Sequence, residues 1–284
     1  MSRSIVQPTA PATVTWTPVR EYSDIRYEHS GTGIAKVTIN RPEVYNACHP
    51  MANQELVDAF DEFHANPDLW VAIITGAGDK AFCAGNDLKY HAEIQKKTGK
   101  RPVHPAKGFG GLANRFDLEK PVIAAVNGVA MGGGFEIALA ADIIVASDKA
   151  TFALPEPKVG LAAGAGGMQR LSRMIPLKKA MGMMLTGRHV SAKEGFELGF
   201  VTEVVPHAEL MSAARRWASD ILACSPMSVR ATKQVVMRSL DVPSLEVAMH
   251  NLHYPAFVAM TKSEDTVEGP RAFAEKRKPN WKGR

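Results

Sequence analysis

Short segments rich in β-branched residues alternate with amphipathic helical patterns through the first 205 residues of the chain. The helical patterns include residues 53–64 and 176–185. Strands that alternate with helices are joined by crossover connections, so the pattern predicts an α/β fold with much parallel pairing. The predicted strands are residues 34–40, 71–76, 121–128, 142–147 and 200–205.

The strand pattern ends at about residue 208. The rest of the chain is typical of successive helices, with breaks near Pro226, Pro243 and Gly269. We expect this helical segment to pack on the α/β core or on another subunit. Within the core, residues 91–111 are rich in Lys, Pro and Gly, which predicts an irregular connection between two core elements.

Composition limits the class of protein. The 284 residues are 45% hydrophobic and 22% charged, enough for one large core with or without a small appended domain. The formal net charge is +5 and the sequence pI is about 9.1, without a long block of like charge. This balance suits an anionic ligand and does not by itself indicate nucleic-acid binding.

The three cysteines, Cys48, Cys83 and Cys224, lack metal-type spacing and do not indicate a disulfide framework. We therefore expect a reducing compartment and a cytoplasmic location. No apolar run reaches the length of a membrane span, and no membrane partner is expected. Residues 1–20 contain no acid and are rich in Pro, Thr and Ser, which predicts a loosely ordered arm, with a targeting peptide as the alternative.

Two glycine turns stand between predicted strands and helices. Residues 132–142 read GGGFEIALAAD, and residues 81–89 read AFCAGNDLK. Each turn alone is compatible with ordinary strand-to-helix packing. Together they could aim two backbone N–H groups at one carbonyl oxygen, as an oxyanion hole requires. A dinucleotide fingerprint and a G-x-S-x-G nucleophile elbow are both missing from the sequence.

Two glutamates accompany these turns. Glu136 follows the three glycines, and Glu156 lies between two prolines after an apolar run. A buried carboxylate is costly unless it is paired, hydrogen-bonded or used in chemistry, although a surface loop would explain Glu156 equally well. The sequence alone does not establish that the two side chains face each other.

From about residue 24 to its end, the chain resembles the enoyl-CoA hydratase/isomerase family, also called crotonases. Several motifs occur in the family's order: INRPEVYNA, AFCAGNDLK, KPVIAAVNGVAMGGGFEIALAADIIVAS, ATFALPEPKVGL, GAGGMQRL, LTGRHVSAKEGFELGFVTEVVP and AFAEKRKPNWK. The resemblance implies a spiral of ββα units with a C-terminal helical region that mediates trimerisation, commonly as a dimer of trimers. It divides the chain into the arm at 1–20, a spiral core at 21–207 and an oligomerisation region at 208–284.

The resemblance also implies functional residues. The oxyanion-hole donors map to the backbone N–H groups of Asn86 and Gly133, and the two catalytic carboxylates map to Glu136 and Glu156. No metal is implied, and no cofactor beyond the CoA thioester of the substrate. The residues that match CoA-binding positions are Val44, Ala84, Asp87 and Leu88, together with Phe273 and Lys276, which would reach the CoA of a neighbouring subunit.

The presence of both carboxylates favours the function of a hydratase, which adds water reversibly across the C2=C3 bond of a 2-enoyl-CoA. An enoyl-CoA isomerase and a noncatalytic RNA-binding relative are the alternatives, although we do not expect nucleic acid as a partner. The segment LPEPKVGL also resembles crotonobetainyl-CoA or carnitinyl-CoA hydratases. Ala162 and Ala163 depart from the family's usual pattern, as does the 91–111 segment, which leaves the acyl group open.

Overall fold

The computed structural model describes residues 14–100 and 102–284. Within them the chain forms β1 (Thr17–Arg20), β2 (Ile25–His29), β3 (Ile34–Ile39), α1 (Pro50–Ala65), β4 (Val71–Gly76), β5 (Ala81–Cys83), α2 (Leu88–Thr98), β6 (Val122–Val126), β7 (Val129–Met131), α3 (Gly133–Ala140), β8 (Ile143–Ser147), β9 (Thr151–Ala153), α4 (Gly167–Met174), α5 (Leu177–Thr186), β10 (Val190–Ser191), α6 (Ala192–Leu198), β11 (Glu203–Val205), α7 (Leu210–Leu222), α8 (Pro226–Ser239), α9 (Leu245–His250), α10 (Pro255–Thr261) and α11 (Asp265–Ala274). Short 3₁₀ helices include Pro42–Val44, Phe109–Gly111 and Glu156–Val159.

The strands form two sheets. The larger has the order β1-β2-β3-β4-β6-β8-β11, antiparallel as far as β3 and parallel from β3 to β11. The smaller has the order β10-β9-β7-β5, in which β5, β7 and β9 run parallel. The predicted α/β fold with parallel pairing is therefore confirmed.

A repeating unit generates both sheets. In β4–β5–α2 and β6–β7–α3, the first strand joins the larger sheet, the second joins the smaller sheet, and a helix follows. β8 and β9 repeat the two strands, and a 3₁₀ helix and α4 follow them. The chain thus winds as a spiral of ββα units, as the fold prediction stated.

Each face of the larger sheet is covered. One face packs in the main core with α1, α3 and the smaller sheet, around large side chains such as Phe60, Phe82 and Phe135. The other face packs against α7 through Leu210, Ala213, Ala214 and Ala218. Burial of these apolar surfaces supplies the main driving force for folding.

The strand predictions hold for the larger sheet, where β3, β4, β6, β8 and β11 lie within the expected segments. The irregular segment expected at 91–111 is wrong at its start, because α2 continues to Thr98, where Gly99 caps it in the left-handed conformation. The break expected near Gly269 is also wrong, since this residue lies inside α11.

Residues 1–13 of the proposed N-terminal arm lie outside the described residues. Its last four residues, Thr17–Arg20, form β1 and pair with β2, so ordered structure begins before residue 21. All three cysteines are free, and Cys48 and Cys83 are buried. No helix among the described residues combines the length and apolarity that a bilayer crossing requires.

Candidate active site

Three parallel strands of the smaller sheet bring the candidate residues to one edge. Asn86 comes shortly after β5, Gly133 and Glu136 follow β7, and Glu156 follows β9. The carboxyl ends of parallel strands lie at the same edge of a sheet. Segments that are distant in sequence therefore meet there, each entering the site from its own strand.

The first turn holds Asn86 through a short parallel bridge with Cys48. The Cys48 N–H donates to the carbonyl of Gly85 at 2.8 Å, and the Asp87 N–H donates to the carbonyl of Cys48 at 3.1 Å. In a parallel bridge the residue between these two bonds directs its own N–H away from the partner. The Asn86 N–H is therefore free to bind a ligand.

The second turn offers Gly133. This residue begins α3, and the first bond of the helix runs from the Glu136 N–H to the carbonyl of Gly132 at 3.0 Å. The N–H of Gly133 precedes that bond, so it belongs to the donors that the helix itself leaves without an acceptor. It carries the partial positive charge of a helix N-terminus.

The two turns touch each other. Gly85 has a φ of +92°, and a β-carbon placed on it would lie 2.7 Å from the carbonyl oxygen of Met131 and 3.1 Å from the nitrogen of Gly133. Glycine is therefore required at residue 85, both for its conformation and for this close approach. The contact places the Asn86 turn directly beside the Gly133 donor.

The aromatic ring of Phe109 packs directly on Gly133. A β-carbon on Gly133 would lie 2.5 Å from the Cε1 atom of Phe109, closer than real contacts allow. Phe109 itself is buried. The ring therefore leaves no room for a side chain at residue 133, where α3 begins.

Glu136 lies on the first turn of α3 and is 4% exposed. Burial raises the pKa of its carboxyl to about 7, and the nearby Glu156 adds to the shift, whereas a hydrogen bond from Gly167 opposes it. That bond runs from the Gly167 N–H to Oε1 at 2.8 Å. A carboxyl with this pKa exchanges its proton near neutral pH, which suits acid–base catalysis.

Glu156 begins the 3₁₀ helix that follows β9. Its Oε1 lies 3.0 Å from the position of a β-carbon on Gly132, so it lies against the glycine turn. Its Oε2 is buried and makes no hydrogen bond with the described residues. Burial also raises the pKa of this carboxyl. An unpartnered buried carboxylate oxygen is costly, which makes Glu156 a candidate for a role in chemistry.

The motif GAGGMQRL supplies two contacts that sequence reasoning missed. Gly167 donates to Glu136, and the Arg170 guanidinium donates to the carbonyl of Ala113 at 2.8 Å. The charge of Arg170 lowers the pKa of Glu136 slightly against the larger effect of burial. The motif was part of the resemblance, but nothing in its spacing identified Glu136 as its partner.

The expected CoA positions near the first turn lie together. The N–H of Ala84 donates to the carbonyl of Tyr45 at 3.0 Å, next to Val44. Asp87 caps α2 through the Tyr90 N–H and forms an ion pair with Arg41 at 3.1 Å. Leu88 is 47% exposed. The carboxylate of Asp87 thus has partners within the protein, and its expected contact with CoA stays a prediction.

Phe273 lies in the last turn of α11, and Lys276 lies two residues after the end of that helix. Phe273 is 87% exposed, and Lys276 has a φ of +54°. The structure does not bring these two side chains into the group formed around β5, β7 and β9. Their expected contact is with the CoA of a neighbouring subunit, and it stays a prediction.

A spiral of ββα units whose small-sheet edge carries two adjoining glycine turns defines a crotonase-fold protein. Among the described residues, no group of three or more His, Cys, Asp or Glu side chains is placed to hold a metal ion.

Comparison with known proteins agrees with this class. Residues 29–284 match the family model described as enoyl-CoA hydratase/isomerase, and the chain belongs to that family. A carnitinyl-CoA dehydratase of Escherichia coli (strain K12) is 44% identical over 256 residues, covering 88% of this chain and 95% of the relative.

Solved structures are similar over nearly the whole chain. An enoyl-CoA hydratase from Mycobacterium tuberculosis H37Rv has a TM-score of 0.84 at 38% identity, covering 92% of this chain and 99% of the other. An enoyl-CoA hydratase from Bacillus anthracis has a TM-score of 0.82 at 33% identity, covering 92% and 100%. These relatives identify this chain as an enzyme of the lyase class, of the hydratase or dehydratase type.

Proposed function

We propose that the protein is an enoyl-CoA hydratase, which adds water reversibly across the C2=C3 bond of a 2-enoyl-CoA thioester. The observation that supports this most is the meeting of two free N–H donors with one buried glutamate, Glu136, and one half-buried glutamate, Glu156, at one edge of the smaller sheet. Hydration of an enoyl thioester needs these two kinds of group.

The backbone N–H groups of Asn86 and Gly133 bind the thioester oxygen. As water attacks C3, the electrons of the double bond move toward that oxygen, which becomes enolate-like. Donors already in place stabilise this charge without reorganising, and each such donor contributes about 2.7 to 4 kcal/mol to catalysis. The positive end of the α3 dipole further stabilises the negative charge that develops on the oxygen bound to the Gly133 N–H.

The two glutamates divide the proton transfers. Glu136 positions the water and removes one of its protons as the C3–O bond forms, and Glu156 supplies a proton to C2. The pKa of Glu136, about 7, provides both the charged base and its conjugate acid near neutral pH. The raised pKa of Glu156 helps that group to hold the proton that it delivers.

A second candidate function differs in the acyl group of the substrate. One observation favours a dehydratase of the carnitinyl-CoA type. The relative named carnitinyl-CoA dehydratase is 44% identical to this chain. The chemistry would be the same reaction in reverse, with water leaving C3. A polar acyl group would then replace a simple alkyl chain.

The protein would take its acyl-CoA substrate as a homotrimer or a dimer of trimers, with no cofactor beyond the thioester. Residues 208–284 would form the subunit contacts, and Phe273 and Lys276 would reach the CoA of a neighbour. The many exposed apolar side chains of α8, α9 and α11 support an interface there. They include Val236, Met237, Leu240, Leu245, Val247, Met249 and Val267. A cytoplasmic location remains our expectation.

A panel of acyl-CoA thioesters tests the proposal. Purified protein is incubated with 2-enoyl thioesters of different chain length, with crotonobetainyl-CoA and with 3-enoyl thioesters, and the products are identified by mass. A gain of one water by a 2-enoyl thioester supports the hydratase, and preference for crotonobetainyl-CoA selects the second candidate. Double-bond migration without any gain of water would overturn both in favour of an isomerase.

A further inference from the structure

His104 connects two asparagine side chains beside the candidate oxyanion hole. Its Nδ1 lies 3.4 Å from Nδ2 of Asn53, and its Nε2 lies 3.3 Å from Nδ2 of Asn86. Its ring meets Phe109 edge to face, with 5.4 Å between the ring centroids. His104 therefore lies between α1, the Asn86 turn and the ring that packs on Gly133.

The orientation of Asn53 is fixed by two other bonds. Its Oδ1 accepts from the Gly110 N–H at 2.7 Å, and its Nδ2 donates to the carbonyl of His49 at 3.1 Å. Exchanging the oxygen and nitrogen of this amide would break both bonds. Asn53 therefore presents a donor to His104, and the Nδ1 of His104 must accept.

This requirement decides the tautomer of His104. A neutral imidazole that accepts at Nδ1 carries its proton at Nε2, and Nε2 faces Asn86. Burial and the neighbouring His91 lower the pKa of His104, which favours the neutral ring. His104 is then a hydrogen-bond donor toward the side chain of Asn86.

Asn86 must receive that donor with its amide oxygen. In the assigned orientation Nδ2 faces His104, whereas Oδ1 is buried and has no partner among the described residues. The two amide atoms are nearly equivalent in shape, and their assignment follows the hydrogen-bond network. Turning the amide by 180° gives Oδ1 a partner and removes the meeting of two donors.

We propose that His104 is a positioning residue that holds Asn86 through an Nε2–H bond to its side-chain oxygen. The inference rests on the proposed function, because it gives the backbone N–H of Asn86 the role of an oxyanion donor. A chain of hydrogen bonds from α1 through Asn53 and His104 then fixes the direction of that N–H. Among the described residues, no other side-chain hydrogen bond holds Asn86, and its turn is held by backbone bonds to Cys48.

Substitutions of His104 distinguish its role as a hydrogen-bond donor to Asn86 from a role in packing alone. His104→Phe keeps a ring and loses the donor, and we expect at least a tenfold lower kcat with a KM within threefold of the wild type. His104→Gln offers a terminal amide N–H in the place of Nε2–H, and it should restore most of the lost rate. His64→Phe, an exposed change in the last turn of α1, is the control and should leave kcat nearly unchanged.

A double-mutant cycle tests whether His104 acts through Asn86. Asn86→Ala keeps the backbone N–H, and it should lower kcat about as much as His104→Phe. The double variant should then be no slower than Asn86→Ala alone, because both changes remove one interaction. Full additivity, or wild-type rates in either single variant, would overturn the proposal. Thermal unfolding of each variant shows whether lost activity reflects lost folding.

A spectroscopic probe separates failure of this inference from failure of the proposed function. A cinnamoyl-CoA thioester absorbs at longer wavelength when hydrogen bonds polarise its carbonyl, and turnover is unnecessary for the signal. We expect a red shift in the wild type and a smaller shift in His104→Phe. A wild type that shifts the probe but hydrates no thioester would refute only the hydratase. Equal shifts in wild type and variant, or no shift in either, would refute the role of His104.

Discussion

Burial controls the chemistry of the individual glutamates. Glu136 loses contact with water on α3, and its carboxyl gains one backbone hydrogen bond, from Gly167. Burial disfavours the charged carboxylate more than the hydrogen bond stabilises it. The pKa of Glu136 therefore rises to about 7. The same effect raises the pKa of Glu156, whose Oε2 has no partner in the described part of the chain.

Replacing either glutamate by glutamine removes a proton carrier while keeping the shape of the side chain. We expect Glu136→Gln and Glu156→Gln each to lower kcat for hydration by about 10²-fold to 10⁴-fold, the usual contribution of acid–base catalysis. Steady-state kinetics with a 2-enoyl-CoA measures the effect. Glu197→Gln, an exposed change on α6, is the control. Wild-type rates in both site variants would remove these residues from the mechanism.

The pKa of Glu136 also makes folding stability depend on pH. The carboxyl has an ordinary value of 4.5 when unfolded and about 7 when folded, so the native state holds an extra proton between these values. Stability from this group is therefore complete below pH 4.5 and is lost as the pH rises through 7. The full loss is at most about 3 kcal/mol.

Denaturant unfolding of wild type and Glu136→Gln, at several pH values from 5 to 8.5, tests this linkage. The stability difference between the two proteins should move in favour of the glutamine variant as the pH rises. A difference that stays constant over this range would mean that Glu136 titrates normally.

Some site residues could be predicted from the sequence, whereas contacts between distant segments could not. The two glycine turns and both glutamates lie within the motifs that the chain shares with its family. The resemblance therefore indicated Asn86, Gly133, Glu136 and Glu156 as candidate site residues. The bond from Gly167 to Glu136 spans 31 residues, and the contact between Asn86 and His104 depends on the path of an irregular segment. Local sequence patterns contain no signal for either pairing.

At the level of the elements, very short strands position the site. β5, β7 and β9 each contain three residues, and none of them was among the strands predicted from β-branched segments. A strand of three residues is too short to show an alternation of apolar and polar side chains. The smaller sheet is therefore recognised only from the hydrogen-bonded pairing of its strands in the structure. Apolar, β-branched runs predicted five strands of the larger sheet, namely β3, β4, β6, β8 and β11, but they did not predict β1 and β2.

Close packing between elements predicts a strong effect at Gly133. Gly133→Ala would drive a methyl group into the Phe109 ring, so the start of α3 must shift. We expect kcat to fall at least 10²-fold, comparable to the loss of one oxyanion donor. Gly164→Ala is the matched control, because its added carbon would meet its nearest neighbour at an ordinary 3.8 Å. Similar kinetics for the two alanine variants would contradict the assignment of Gly133.

At the scale of the whole molecule, the C-terminal helices do two different things. α7 completes the core of the larger sheet, whereas α8, α9 and α11 expose several large apolar side chains. We propose that these exposed apolar groups form a surface that other subunits cover. We therefore expect sedimentation equilibrium to give a mass near three or six times 30.7 kDa.

Phe273 tests the contact between subunits and CoA. Phe273→Ala should raise the KM for an acyl-CoA roughly tenfold, about 1.4 kcal/mol of binding, and leave kcat within twofold. Val19→Ala, an exposed apolar change on β1 and outside residues 208–284, is the control. An unchanged KM for Phe273→Ala would place CoA away from this part of α11.

The delivery of Asn86, Gly133 and Glu156 by three separate strands has a consequence for how the enzyme can be altered. Under the proposed function, the segment after β9 supplies a proton carrier, whereas the donors to the thioester come from the segments after β5 and β7, so binding of the thioester does not depend on Glu156. A Glu156→Gln protein should therefore remain a competent receptor for thioesters while turning them over slowly. Such a variant would trap the enzyme–substrate complex for crystallography, and its bound ligand would reveal which acyl group the pocket prefers.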